Sequence, residues 1–585
     1  MRYLLTRNGL ILLFIAVGVS PMLWAQGSGR RGGFQGAQQQ AGSQTAAQQT
    51  GNQQTGSQQT GNQQSGATRQ QSGTPPLVEP GSIGRTGEGG RGGAGAASAD
   101  EFFNFDPNAN QVWLGANADA APVETHQKMT LNGEPFAYTT RAGFMPLMNA
   151  TTGMAEAHIF FTSYMKDGGS DEASRPIMFF FGGAPGVSAA WQEFGGLGPK
   201  RMKTEGNWGD NPNTLLGEAD LVFVNPVGTG FSVPVQPNHA SAFWNTQGDI
   251  ASLAQFVRLY INRNNRLVSP LFIAGEDAGT GRVAGLAAYL TDHMIPVRGV
   301  ILLSVANSPD ALAGDTQYIT LLPSLVISSW YHKKLSPEMN GMGSEQLLGQ
   351  ARQFASREYL HALYKGDRMT AEERNKVMAD LSRFTGLPKQ VVINNDLRVS
   401  FDRYNNELMR DEHRGLSRSD ARVTGFQPVV AGFGFGGGGR GGFGAAQQPV
   451  DFNMSAITGP FAAAYESYLR RELNFAHEKE GIFYLTSGGV GTFTSTGNDE
   501  TSLSAAFIRN PNMHVFVAIS YYDLNCPFYA AEYTVAHLNV SPEVRAHNIT
   551  ISHQEAGQMA YMDSKAAMKL ERDLAGFITH ATATR

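Results

Sequence analysis

Three short stretches hold polar side chains in settings that could position them for chemistry. Gly275-Glu276-Asp277-Ala278-Gly279 sits between an apolar run and a helix-like run, and its small residues permit a tight turn that lifts the Asp277 carboxylate. Tyr521-Tyr522-Asp523-Leu524-Asn525-Cys526 brings a second carboxylate and the single thiol of the chain. Glu555-Ala556-Gly557-Gln558-Met559 brings a neutral amide. A carboxylate raised on a turn can act as a base, or as a nucleophile toward an alkyl carbon. A glutamine amide cannot act as a general base near neutral pH. The alternative is that Asp277, Asp523 and Gln558 form a hydrogen-bonded polar cluster. Two close carboxyl groups would then favour protonation of one, with the Gln558 amide donating to the other. The 13 histidines show no zinc-type spacing with one another or with cysteine, so neither a metal nor a cofactor is called for. Cys526 has no histidine close in sequence to activate it and reads as a buried, inert thiol.

These stretches need a scaffold, and the pattern of the chain supplies one. Short apolar runs alternate with longer helical patterns, which predicts a mostly parallel sheet covered by helices. The runs 176–181, 219–224, 270–274, 298–303, 514–519 and 548–551 read as buried strands. The segment Arg282 to Leu290 reads as the helix after the first polar turn. From about residue 305 to 450 the pattern turns helical and charged, as a cap inserted over the sheet would.

Ordered landmarks run through this framework. They are Gly182-Gly183-Ala184-Pro185-Gly186, Gly195-Gly196-Leu197-Gly198-Pro199, Asn211-Pro212, Asn225-Pro226-Val227-Gly228-Thr229-Gly230-Phe231-Ser232 and Ser455-Ala456-Ile457-Thr458-Gly459-Pro460. With the three polar stretches they resemble the serine carboxypeptidase family, most closely its bacterial branch, from Val123 onward. The resemblance implies an α/β-hydrolase fold: a mostly parallel central sheet flanked by helices, with a helical cap insertion. It implies release of C-terminal amino acids from peptides by a serine, histidine and aspartate triad. Carried over by position, Asp523 is the retained triad acid, Asp277 stands at the nucleophile position and Gln558 at the histidine position. The backbone N–H groups of Ala184 and Ala278 fall at the oxyanion-hole positions. Glu276 matches the residue that shares the substrate's C-terminal carboxylate, and Gly182 and Gly183 lie in the neighbouring turn, where Gly182 replaces the family's asparagine. Loss of a triad serine or histidine alone costs on the order of a millionfold in turnover.

Composition bounds the rest. The chain has 585 residues, 41% hydrophobic and 10% aromatic, with a formal net charge of -5. No basic stripe argues for nucleic acid, and a single cysteine excludes an intrachain disulfide. Residues 1–25 read as an export signal: Arg2 and Arg7, then an apolar run from Leu10 to Val19. Leu23 suits cleavage poorly, so retention of the segment as an anchor stays open. Residues 26–98 are a Gly/Gln-rich linker containing Thr50-Gly51-Asn52-Gln53-Gln54 and two similar units, too poor in apolar side chains to fold. Residues 431–448 are a glycine-rich loop within the domain 99–585. The expected product is an exported protein, periplasmic or extracellular, with no membrane span after cleavage. Three functions follow as alternatives: a degenerate member that binds peptides or protein C-termini in its cleft, a hydrolase of altered chemistry at Asp277, or a surface protein adhering through its Gln/Gly-rich arm. The sequence does not set an oligomeric state.

Overall fold

The computed structural model describes residues 120–168, 174–183, 185–203, 207–236, 239–306, 309–427, 451–475, 493–494 and 499–583. The expected export signal, the linker, the loop 431–448 and Ala184 lie outside these residues.

Fourteen strands are described. They are β1 Val123–Leu131, β2 Glu134–Met148, β3 Ala155–Lys166, β4 Ile177–Phe180, β5 Lys200–Met202, β6 Trp208–Asp210, β7 Asp220–Val224, β8 Val233–Pro234, β9 Leu271–Asp277, β10 Gly299–Val305, β11 Arg414–Leu416, β12 Thr424–Phe426, β13 His514–Ser520 and β14 Ile549–Gln554. Ten of them form one sheet in the order β1-β2-β3-β7-β4-β9-β10-β13-β14, with β8 beside β3. From β7 to β14 every neighbouring pair is parallel, as strands joined by helical crossovers should be. β1, β2 and β3 add an antiparallel edge. The sequence pattern did not delineate these three strands, because half of β1 and β2 faces solvent and their residues are mixed in polarity.

Alternation along each central strand fills two cores. Ile177, Phe179, Ile273, Val300, Leu302, Val515 and Val517 enter one layer. Met178, Phe180, Phe272, Ala274, Ile301, Leu303, Phe516 and Ala518 enter the other. Successive side chains of a strand point to opposite faces, so a strand covered by helices on both sides reads as unbroken apolar sequence. The helices Thr246–Arg263, Gly279–Asp292 and Thr316–Tyr331 cover the first face, and Phe452–Arg471 and Ser564–Ala583 cover the second. The expected cap is present as short helices between Pro309 and Leu408, which carry their own apolar side chains into the first core.

One buried ion pair ties the central strands to the helices. Arg282 Nε lies 2.5 Å from Asp249 Oδ2, and both side chains are buried. The same guanidinium donates from Nη1 to the carbonyls of Phe181 (3.0 Å) and Gly183 (2.7 Å) at the end of β4. Removing one partner of such a pair leaves a charge buried without compensation. Arg282→Ala is therefore expected to cost about 3 to 5 kcal/mol, seen as a clearly lowered urea midpoint. A midpoint unchanged from the parent would contradict this role.

Candidate active site

The sheet delivers its polar residues at the C-terminal ends of its parallel strands, where ligand sites of such sheets lie. Asp277 ends β9, and the helix Gly279–Asp292 starts two residues later with Ala278 at its N-cap. Asp277 has φ 52°, a left-handed conformation uncommon outside glycine. The turn is held by close backbone approach. A Cβ on Gly279 would stand 2.2 Å from the Gly182 carbonyl oxygen, and one on Gly275 would stand 2.3 Å from the Gly279 carbonyl oxygen. Thr280 Oγ1 donates to the Asp277 carbonyl at 2.6 Å and accepts from the Ala306 N–H at 3.2 Å, fastening the turn to the end of β10.

Asp523 follows β13 and is fully buried. Its Oδ1 accepts the backbone N–H groups of Asn525 (2.9 Å) and Cys526 (3.0 Å), and its Oδ2 accepts the Ser304 hydroxyl. Cys526 Sγ donates to Asp277 Oδ1 at 3.3 Å. Asn525 Nδ2 donates to Gln558 Oε1 at 2.9 Å. The Gln558 side chain and the Ala278 N–H lie near enough to the Asp277 carboxyl group to favour its charged form. The structure thus brings Asp277, Gln558 and Asp523 into one network, with Cys526 and Asn525 as the links.

Ser304, Asn525 and the direct contact of Cys526 were missed from the sequence. Ser304 has φ 48° and sits at a register shift between β9 and β10, a local irregularity that leaves no trace in residue type. Two histidines of the neighbouring segments are engaged elsewhere. His553 Nε2 lies 2.7 Å from Glu532 Oε1, and His537 stacks on Tyr533. Among the described residues no group of three or more His, Cys, Asp or Glu is placed to hold a metal ion.

Electrostatics follow from burial. Desolvation pushes the Asp523 carboxyl up to about 8, against the opposing hydrogen bonds from Ser304 and Cys526. It pushes Glu276 up to about 8 as well, with Asp277 and Asp523 adding to the rise. Asp277 is raised for the same reason, opposed by Cys526, Ala278 and Gln558. Burial holds the Cys526 thiol well above its ordinary range, so it stays protonated and donates rather than attacks. Glu276 Oε2 accepts from Tyr561 OH at 2.7 Å. Glu276 Oε1 is buried with no hydrogen-bond partner among the described residues. Tyr561 is seated by the landmark glycines: a Cβ on Gly195 would meet its ring at 2.7 Å, and one on Gly196 would meet its carbonyl oxygen at 2.2 Å.

Residues 132–297 match the serine carboxypeptidase (peptidase S10) family. The serine carboxypeptidase-like 36 protein of Arabidopsis thaliana is 28% identical over 155 residues, which is 25% of this chain and 30% of that relative. The chain therefore spans under a third of the length of this curated relative. The prohormone-processing carboxypeptidase Kex1 of Saccharomyces cerevisiae superposes with a TM-score of 0.50 at 13% identity, covering 75% of this chain and 91% of that one. A proline iminopeptidase of Mycobacterium smegmatis gives a TM-score of 0.34 at 10% identity, covering 76% and 100%. The fold and the landmarks define an α/β-hydrolase. Within that class, residues 132–297 are similar to the serine carboxypeptidase family.

The raised carboxyl groups fix a pH dependence. Glu276 and Asp523 bind protons in the fold at pH values where the unfolded chain has released them. Stability therefore falls as pH rises from about 4, the ordinary carboxyl range, toward their folded values. Asp523→Asn should flatten the decline in melting temperature between pH 5 and pH 8. An unchanged slope would show that Asp523 is ionised in the fold.

Proposed function

We propose that this chain is an exported, catalytically silent serine carboxypeptidase-like protein whose cleft binds peptide C-termini without cleaving them. The observation that carries this reading is the occupancy of the nucleophile position. The Asp277 carboxyl accepts the Cys526 thiol at 3.3 Å and sits beside the Ala278 N–H and the Gln558 side chain, so a carboxyl group fills the place that a substrate carbonyl would have to enter. Peptide hydrolysis also needs a group that takes a proton from the nucleophile and returns it to the leaving amine. The neutral Gln558 amide can do neither.

The binding half of the proposal rests on Glu276. A carboxyl group kept protonated near neutral pH is a hydrogen-bond donor, and Glu276 presents one buried oxygen without a partner among the described residues. Such a group can share a proton with the terminal carboxylate of a peptide. Export is supported by the charged start and apolar run of residues 1–25, and among the described residues no helix is long and apolar enough to cross a membrane.

Isothermal titration with N-blocked dipeptides should show binding that is lost when the C-terminus is amidated. It should weaken as the pH passes about 8, where Glu276 ionises. Released amino acid should stay at the uncatalysed background throughout. Equal binding of acid and amide would refute the carboxylate subsite. Turnover abolished by Asp277→Ala would refute catalytic silence.

A further inference from the structure

Three helices on one face of the sheet run side by side: Thr246–Arg263, Gly279–Asp292 and Asp499–Arg509, the middle one packing against both others. Each leads into a strand, respectively β9, β10 and β13, which are neighbours in the sheet. Their C-terminal ends therefore lie together at the end of the molecule opposite Asp277. The connections are laced at their bases, where Arg298 N–H donates to the Leu271 carbonyl (2.8 Å) and His514 N–H to the Arg298 carbonyl (3.0 Å).

Large apolar side chains stand out from this end. Leu267 and Val268 are 62% and 73% exposed, Met294 is 92% exposed and Ile508 is 75% exposed. Leu267, Val268 and Met294 fall on two consecutive connections and Ile508 in the last turn of the third helix, rather than at scattered positions, and single exposed apolar residues elsewhere need no such account. Basic residues accompany them at two of the helix ends, Arg263 and Arg509, both exposed. The exposed acid in these last turns and connections is Asp292, already paired with Arg509.

We infer that this end of the molecule docks on an anionic lipid surface, with Val268 and Met294 entering the interface and Arg263 and Arg509 beside the headgroups. Arg263 and Arg509 outnumber Asp292 at this end, on a chain whose net charge is -5, so the patch is complementary to an acidic membrane. A second copy of the chain fits less well. Four side chains smaller than aromatics, which bury roughly 150 to 250 Å² each, fall short of the about 800 Å² per partner of a standard interface. Docked this way, the molecule holds its C-terminal strand ends, and the cleft above Asp277, facing away from the membrane.

The test uses the full-length chain carrying Pro296→Cys, an exposed position in the Met294 connection. It is labelled with an environment-sensitive fluorophore, since Cys526 is buried. Phosphatidylcholine vesicles containing phosphatidylglycerol should bind the protein and blue-shift the label, in a salt-sensitive way, while pure phosphatidylcholine should do so far more weakly. Val268→Glu with Met294→Glu should reduce binding about tenfold or more. Ile508→Glu, in the last turn of a separate helix, should reduce it as well, which guards against misfolding of the first variant. Binding without a blue shift, or unchanged in both variants, would place the contact elsewhere, such as in residues 1–25, and overturn the proposal. Absence of binding would overturn it too. So would a doubled mass in light scattering that both variants abolish, because that would assign the patch to a second copy.

Discussion

Close backbone contact at the turn after β9 constrains everything around the site. Gly275, Gly279 and Gly182 meet so tightly that a single added methyl group at two of them would sit within 2.4 Å of a carbonyl oxygen, far inside contact distance. The turn forces Asp277 into a left-handed conformation, which aims its side chain out of the sheet whatever that side chain is. Arg282 then joins the turn to the end of β4 through two carbonyls and to the helix Thr246–Arg263 through Asp249. A scaffold held by backbone approach and a buried ion pair is indifferent to the group at its tip. That is why the tight turn after β9 can carry a carboxylate at its tip.

The second constraint is electrostatic. Glu276, Asp277 and Asp523 crowd into one buried region, and low polarity penalises their charged forms. Ionising all three would leave like charges buried together, so the protein answers with protons and donors. Ser304, the backbone of Asn525 and Cys526, the Cys526 thiol and Tyr561 each supply a hydrogen. In a working triad the buried acid would orient a histidine. Here Asp523 spends its hydrogen-bonding capacity on its own loop and on Ser304, and Gln558 is held through Asn525 instead.

Much of this was legible in the sequence. Continuous apolar runs announced β4, β7, β9, β10 and β13 because strands buried on both faces need no alternation, whereas β14, read as buried, is the partly exposed edge of the sheet. Glycine landmarks marked positions where backbones touch. The three-strand antiparallel edge was not delineated, since strands half open to solvent mix polar and apolar residues without a sharp signal. Ser304 and Asn525 were also invisible: serine and asparagine are common, and only the register shift of β10 and the curl of the Asp523 loop bring them to the site. Cys526 was noticed as a neighbour but not as a donor to Asp277, a contact that spans 249 residues of chain.

The central claim is that the scaffold is intact and only its chemistry has been replaced. The most direct measurement is release of C-terminal amino acids from N-blocked dipeptides by the double reversion Asp277→Ser with Gln558→His. Restored turnover, absent from either single reversion, is the predicted result, because the turn, the Ala278 N–H and Asp523 are already in place. A folded double variant with no activity above background would contradict it and show that the cleft itself has been lost.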